Sequence, residues 1–227
     1  MQTFTAVVPA AGRGSRMQAN KPKQYLHLGD KTIIEHTLTR LLAHPQIEKI
    51  VVVIADDDHY FSSLPLANHP RIEVTLGGPE RAISVLNGLS SVETDWVLVH
   101  DAARPCITQS DLDALMAAAE LGEDGAILAV PVKDTMKRSD SQQRIEETVE
   151  RGYLWHALTP QMFPTQQLAD AIDAGLAQSI VLTDEASAME RAGFKPLLVT
   201  GRSDNIKVTR PEDLALAAFI LQQQELE

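Results

Sequence analysis

The chain has 227 residues, 44% of them hydrophobic and 22% charged, a composition that excludes an intrinsically disordered chain and supports a sizeable core. Its formal net charge of −11 argues against partners such as duplex nucleic acid or an anionic membrane, which require a basic face. No apolar stretch approaches the ~18 residues of a membrane span, and one cysteine, Cys106, cannot form an internal disulfide, so we expect a cytoplasmic protein.

Short apolar runs alternate with longer segments of helical periodicity along the chain. The runs are rich in Val and Ile, as is typical of strands buried on both faces, and the strands predicted are 4–8, 47–54, 71–76, 95–100, 125–130 and 195–200. The helices predicted between them are 32–43, 80–89, 109–121, 165–177, 184–192 and 211–224. This order predicts an α/β fold, a Rossmann-like three-layer αβα sandwich with a mostly parallel twisted sheet, formed as a single domain over residues 1–227. Ligands of such folds bind at the carboxyl ends of the strands.

The segment 133–152 interrupts this alternation. It is polar, and its second half alternates polar and β-branched residues, which favours a protruding β-hairpin. An excursion of about 20 residues without its own core usually has a function or is disordered. Two interpretations remain: a solvated loop, or an arm that packs on a partner subunit.

A loop containing two glycines follows the first predicted strand. Gly12 and Gly14 allow backbone N–H groups to approach phosphate oxygens. The loop matches neither the dinucleotide fingerprint, since Met17 replaces its third glycine, nor the Walker A motif. Four cationic residues and no acid lie within this part of the chain: Arg13, Arg16, Lys21 and Lys23. The alternatives are a polyphosphate site and a solvated basic turn.

Three later segments also place polar or glycine residues where predicted strands end. Gly77 and Gly78 permit close approach of a ligand, or simply form a tight turn. Asp101 is placed to hold a metal ion near phosphates, or else caps a helix or pairs with Arg104. The last predicted strand is followed by a segment with further candidates: Arg202, Lys207 and, as a second metal ligand, Asp204.

Taken together, these motifs resemble those of a known family. The loop 10–17 followed by Pro22-Lys23-Gln24-Tyr25 is similar to the nucleotide-binding signature of the sugar-phosphate nucleotidyltransferases. Further motifs narrow the resemblance to the 2-C-methyl-D-erythritol 4-phosphate cytidylyltransferase family: 100–105 (His-Asp-Ala-Ala-Arg-Pro), Asp134-Thr135, Thr159-Pro160-Gln161, Thr183-Asp184-Glu185 and Asn205-Ile206-Lys207. The resemblance covers nearly the whole chain, in order.

The resemblance implies that CTP and methylerythritol phosphate react, with Mg²⁺ or another divalent cation, to give the CDP-alcohol and pyrophosphate. It implies catalytic roles for Arg16, Lys23 and Lys207, and a metal-orienting role for Asp101. The implied nucleotide-binding residues are Pro9, Ala10, Ala11, Gly12, Gly14, Gly77, Gly78, Arg81, Ser84, Asp101 and Ala102. The implied substrate-binding residues are Arg104, Thr135, Arg151, Thr159 and Thr183. The family also implies a homodimer in which the arm 133–152 crosses to the second subunit.

Three other functions compete with this one. A cytidylyltransferase for another polyol phosphate, such as ribitol 5-phosphate, shares the opening loop. A non-catalytic nucleotide-binding module is the second, but such a protein need not retain Arg16, Lys23 and Lys207 together, since it stabilises no transition state. A glycosyltransferase of related fold usually carries Asp-x-Asp after the fourth strand, where this chain has Asp101-Ala102-Ala103.

Overall fold

The structure is a computed structural model that describes residues 2–12, 14, 17 and 19–226. Its strands are β1 (Phe4–Pro9), β2 (His27–Leu28), β3 (Lys31–Thr32), β4 (Ile47–Ile54), β5 (Ile72–Leu76), β6 (Trp96–Val99), β7 (Ala126–Pro131), β8 (Met136–Ser139), β9 (Ile145–Val149), β10 (Trp155–Pro164) and β11 (Leu197–Thr200). Its helices are α1 (Ile33–Leu42), α2 (Arg81–Leu89), α3 (Gln109–Leu121), α4 (Thr165–Ala177), α5 (Glu185–Arg191) and α6 (Glu212–Gln224). Each predicted strand and helix is present within a few residues of its expected ends.

Seven strands form the central sheet, in the order β11-β7-β10-β6-β1-β4-β5. All neighbouring pairs are parallel except those of β10, which runs antiparallel to both β6 and β7. The ends of β1, β4, β5 and β6 therefore lie on one edge, as the α/β alternation predicts. The fold class is confirmed, with one reversed strand in the sheet.

The two faces of the sheet are buried in two separate cores. In β1, Ala6 and Val8 face the side covered by α1 and α3, where Leu38 and Leu112 pack. Val7 faces the opposite side, which α2, α4 and α5 cover. Both sets are fully buried, because each central strand has a helical layer above and below it. The result is the expected three-layer arrangement.

Strand β10 was not predicted from the sequence. Proline lacks a backbone N–H and is rare inside a central strand, so Pro160 is unusual within β10. The pairing of β10 with β7 is irregular between Ala157 and Gln161, and Pro160 lies in that interval. The irregularity lets a proline-containing segment enter the middle of the sheet.

The segment 133–152 forms an antiparallel hairpin of β8 and β9, as its alternating pattern predicts. The hairpin belongs to a separate two-stranded sheet, and most of its residues are exposed. Its Arg138–Glu147 ion pair is also exposed on both sides, so it adds little stability. In the part of the chain that the structure covers, no helix has the length and apolar character needed to cross a membrane.

Candidate active site

A cavity of about 260 Å³ opens at the carboxyl edge of the sheet. Its walls come from the segments that follow β1, β5, β6 and β11, which are distant in the chain and adjacent in space. The lining residues are Pro9, Ala10, Ala11, Gly12, Gly14, Lys23, Gln24, Gly78, Pro79, Glu80, Arg81, Ser84, Asp101, Ala102, Ala103 and Lys207. Most of the residues implied to bind nucleotide are thus brought together.

The loop after β1 is held from below by a side chain to which the sequence assigned no role. The buried amide of Gln24 donates to the carbonyl oxygens of Ala10 and Gly12, at 2.5 and 3.2 Å. Gly14 has φ +64°, and a Cβ there would lie 2.8 Å from Cγ of Lys23. The loop therefore needs glycine at this position both for its backbone conformation and for space. Arg16, the first implied catalytic residue, lies outside the described residues, as does Arg13.

Lys23 connects two walls of the cavity. It begins a short 3₁₀ helix (Lys23–Tyr25), and its Nζ donates to the carbonyl oxygen of Val208 at 2.8 Å. Val208 is buried beside α6 and follows Lys207 in the chain. The ammonium group of Lys23 is therefore fixed close to the loop that carries Lys207, the other lysine with an implied catalytic role.

The loop after β1 packs closely against the start of α2. A Cβ on Gly77 would lie 2.7 Å from both Cβ of Ala11 and Oγ of Ser84, and one on Gly78 would lie 2.3 Å from Cγ2 of Ile83. The backbone N–H of Gly78 donates to Oγ of Ser84 at 3.1 Å. Glycine at these two positions therefore permits the close packing that forms this wall, in which Gly78 lines the cavity.

Asp101 is the centre of a charged cluster in the wall of the cavity. Its Oδ2 lies 2.9 Å from Nζ of Lys207 and 3.3 Å from Nε of Arg104, and its Oδ1 lies 3.4 Å from Nη2 of Arg81. Burial alone would raise the pKa of the carboxyl, but the charges of Arg81, Lys207 and Arg104 outweigh it and hold the pKa well below its usual range. Asp101 is therefore ionised, and the cluster has a net positive charge.

A buried hydrogen-bond network supports Asp101 from below. Its backbone N–H donates to Oγ1 of Thr159 at 3.0 Å, and Nδ1 of His100 lies 3.0 Å from the same hydroxyl. Nε2 of His100 lies 3.1 Å from the carbonyl oxygen of Arg104, which makes Nε2 the donor and leaves Nδ1 to accept from Thr159. Burial lowers the pKa of His100 to about 4, so the ring is neutral near pH 7.

The implied substrate-binding residues are not gathered in the cavity. Arg104 and Thr159 are buried beneath it, and Arg104 also donates to the carbonyl oxygen of Asn205 at 2.7 Å. Thr135 and Arg151 lie at the base of the hairpin, both exposed, with the Arg151 guanidinium donating to the carbonyl of Lys133. Thr183 is exposed just before α5. Within one subunit, these five residues do not form a single site.

Asp101 is the acid that the resemblance implies for orienting a metal, and both of its oxygens contact cationic side chains. Mg²⁺ bound to a polyphosphate takes most of its ligands from phosphate and water, and needs only one or two protein carboxylates. Among the described residues, no group of three or more His, Cys, Asp or Glu side chains is placed to hold a metal ion unaided. Asp204, the other candidate, pairs with Arg202 at 2.7 Å. A metal here therefore depends on the nucleotide for most of its coordination.

The sequence also left Gln161 and Glu185 without roles, although both stand in the motifs quoted above. Glu185 is buried, and its carboxylate pairs with Arg81 through both oxygens, at 2.6 and 3.1 Å. Gln161, also buried, donates to Oδ2 of Asp184 and accepts from the N–H of Ala186. The signal in the sequence that could have indicated these roles was the position of Gln161 and Glu185 at the ends of the motifs 159–161 and 183–185.

Comparisons with known proteins agree on one family. The family profile described as "IspD: 2-C-methyl-D-erythritol 4-phosphate cytidylyltransferase" matches residues 4–223. A protein of that name from Tolumonas auensis is 99% identical over 227 residues, which is 100% of both chains. A crystal structure of a 4-diphosphocytidyl-2C-methyl-D-erythritol synthase shares 37% identity at a TM-score of 0.84, over 97% of this chain and 99% of that one. The Francisella tularensis 2-C-methyl-D-erythritol 4-phosphate cytidylyltransferase shares 34% identity at a TM-score of 0.82, over 96% and 100%.

Proposed function

This chain belongs to the 2-C-methyl-D-erythritol 4-phosphate cytidylyltransferase family, and we propose that the cavity at the carboxyl edge of the sheet is its active site. The enzyme joins CTP to 2-C-methyl-D-erythritol 4-phosphate and releases pyrophosphate, a step of the non-mevalonate route to isoprenoids. The observation that carries the site assignment is the convergence of Lys23, Lys207 and Asp101 on one cavity that glycines of two loops also line.

The chemistry is a substitution at the α-phosphorus. An oxygen of the methylerythritol phosphate attacks the α-phosphorus of CTP, a new P–O bond forms, and the bond to the bridging oxygen of pyrophosphate breaks. A phosphate monoester, with a second pKa near 6, is already mostly dianionic at pH 7. The nucleophile therefore needs no general base. The barrier lies in bringing two anions together and in the charge that builds on the leaving group.

The cationic residues of the site meet that electrostatic requirement. We assign Lys207 to the α-phosphate, and Lys23 together with Arg16 to the transition state and the leaving pyrophosphate. Two contacts support this assignment, since the hydrogen bond of Lys23 to Val208 and the ion pair of Lys207 with Asp101 hold the two ammonium groups at one cavity before substrate arrives. Fixed charges lower a barrier because they need no reorganisation as the reaction proceeds.

The part of the cavity lined by Gly78, Arg81 and Ser84 is assigned to cytosine and ribose. Ser84 is buried and contacts Gly78, so a ring entering here meets backbone groups and one hydroxyl rather than long side chains. The loop from Pro9 to Gly14 is assigned to the triphosphate, with Ala102 beside it. The loop after β1 would donate backbone N–H groups to the phosphate oxygens.

Mg²⁺ is the proposed cofactor, and it would supply positive charge to the triphosphate. Asp101 is the residue that would orient it. When Lys207 turns from Asp101 towards a phosphate, Arg81 and Arg104 still neutralise the carboxylate, because each contacts it independently. The triphosphate is therefore not repelled by an unpaired carboxylate of Asp101.

We propose that the hairpin 133–152 is a dimerisation arm of the single nucleotidyltransferase domain. The hairpin is exposed, and Thr135 and Arg151 lie exposed at its base. This position makes both side chains accessible to the active site of a second subunit. Thr183, exposed just before α5, is proposed to bind substrate. The buried free thiol of Cys106 agrees with the cytoplasm as the compartment.

The test is pyrophosphate release from CTP and Mg²⁺ with methylerythritol 4-phosphate and ribitol 5-phosphate offered side by side, and with ATP, GTP and UTP as controls. We expect turnover with CTP and methylerythritol 4-phosphate. Turnover with ribitol 5-phosphate alone would assign the site to another polyol phosphate. Release from no pair would leave a non-catalytic nucleotide-binding module.

A further inference from the structure

One buried acid near the cavity has no part in the reaction described above. Glu185 occupies the first turn of α5, with its side chain only 1% exposed, and both of its oxygens contact Arg81. An ionised carboxylate is costly to bury unless it is paired, and a bidentate pair with arginine is the strongest such arrangement. The pair is therefore a fixed feature of the site's wall.

Two motifs hold Glu185 in position. Asp184 caps α5 by accepting from the N–H of Ser187, at 3.0 Å. Gln161, on the central strand β10, donates to the other oxygen of Asp184 and accepts from the N–H of Ala186, both at 2.8 Å. The first turn of α5 is thus attached to the sheet on either side of Glu185, so the carboxylate cannot follow Arg81 if the arginine moves.

Two N–H groups of Arg81 donate to Glu185, and a further N–H on Nη2 donates to Oδ1 of Asp101 at 3.4 Å. The other oxygen of Asp101, Oδ2, is left for Lys207 and Arg104. We propose that Glu185 is a positioning residue: by fixing Arg81, it assigns Oδ1 of Asp101 to that arginine and keeps Oδ2 for Lys207. This inference rests on the proposed active site and names a residue that acts through two others.

The physical consequence of losing the charge of Glu185 is a change of partners. Arg81 is only partly exposed and retains one acid within reach, so its freed N–H groups would turn to Asp101 and form a bidentate pair there. That pair would compete with Lys207, whose side chain is the most exposed of the cluster at 39%. Lys207 would then lose the contact that holds it beside the cavity.

The experiment is a double-mutant cycle in pyrophosphate release, with Glu185→Gln and Asp101→Asn made singly and together. We expect Glu185→Gln to lower kcat about tenfold in the wild-type background and less than twofold with Asp101→Asn, since residues acting in one network are not additive. Glu190→Gln, an exposed acid on the same helix, is the matched control and should leave kcat unchanged.

Shape and charge are separated by a third variant. Glu185→Asp keeps the charge and loses one methylene, whereas Glu185→Gln keeps the shape and loses the charge. If Glu185 positions Arg81 through its charge, Glu185→Asp should have a kcat within about threefold of wild type. A packing role alone would make Gln the better replacement. If Glu185→Gln unfolds in a thermal melt, Glu185→Ala, which also removes the charge, takes its place in the cycle.

The outcomes distinguish this inference from the assignment of the site. Additive effects of Glu185→Gln and Asp101→Asn, or full activity of Glu185→Gln, would overturn the positioning role while leaving the active site in place. Full activity of Asp101→Asn would instead overturn the site assignment itself. Coupling between the two substitutions, with rescue by Asp, supports both.

Discussion

Nζ of Lys207 lies 2.9 Å from Oδ2 of Asp101, and this ion pair joins the segment after β11 to the end of β6. The two partners differ in accessibility: the Asp101 side chain is 10% exposed and that of Lys207 is 39% exposed. Asp101 is therefore the fixed partner, held by two arginines as well, and Lys207 is the one able to exchange the carboxylate for a phosphate. The Lys207 ammonium group, paired with the carboxylate of Asp101, is therefore already at the cavity before substrate binds.

Replacing Lys23 should abolish turnover with little loss of nucleotide binding. Removing a fixed charge directed at the transition state typically costs roughly 3–4 kcal/mol, a hundredfold or more in rate. We expect Lys23→Ala to lower kcat by at least that factor, measured as pyrophosphate release, while calorimetry still detects CTP. Lys195→Ala, at an exposed lysine, is the control and should behave as wild type. Equal losses in both variants would remove Lys23 from the catalytic set.

Asp101 should determine how much Mg²⁺ the enzyme needs. With the carboxylate replaced by an amide, one protein ligand is lost and only phosphate and water remain. We expect Asp101→Asn to shift the Mg²⁺ dependence of turnover to higher concentration at fixed CTP. Asp204→Asn, at the acid paired with Arg202, should leave the Mg²⁺ midpoint unchanged. A shift of the Mg²⁺ midpoint in Asp204→Asn, with none in Asp101→Asn, would assign the metal role to Asp204 instead.

The neutral ring of His100 should make stability depend on pH. Its folded pKa of about 4 lies below the ordinary 6.5, so the unfolded chain binds more protons between these values. The contribution is therefore fully present above pH 6.5 and is lost as pH falls towards 4, by roughly 3 kcal/mol. Urea unfolding of wild type and His100→Gln at several pH values isolates the effect. Parallel curves for the two proteins would contradict it.

Gly88 is expected to be irreplaceable in α2. A Cβ there would lie 2.7 Å from Cγ1 of Val7 and 2.8 Å from Cγ2 of Val53, both in central strands. Overpacking of this kind costs about 1–3 kcal/mol, which exceeds the gain in helix propensity on going to alanine. Urea midpoints should therefore fall for Gly88→Ala. Gly12→Ala, where a Cβ meets nothing within 4 Å, should unfold as wild type does.

The crossing of the arm is testable by mixing two inactive variants. If Arg151 serves the neighbour's site, a heterodimer of Lys23→Ala and Arg151→Ala carries both changes in one site and neither in the other. Random exchange should then restore about a quarter of the wild-type activity, since half of the dimers are mixed and each has one intact site. Activity no higher than that of the separate variants would place Arg151 in its own subunit's site.

Much of the fold was predictable from local pattern. Apolar runs such as 47–54 gave parallel strands in the expected places, because a strand buried on both faces must be apolar at nearly every position. Within the central sheet, strand β10 was the exception, since Pro160 and its polar neighbours carry the signature of an element end while tertiary pairing places them mid-sheet. The cavity's chemistry was also visible in advance, as glycines and cations at strand ends.

The sequence by itself determined the layered α/β fold, the edge where ligands bind and most residues of the cavity wall. Local composition suffices for these, because periodicity and glycine placement act within one segment. Only the tertiary structure decided which charges are partners. It placed Arg104 and Thr159 beneath the cavity rather than within it, and it brought Glu185 to Arg81 and Lys207 to Asp101. Such pairs join residues far apart in the chain, and their distances depend on strand order, which no local pattern encodes.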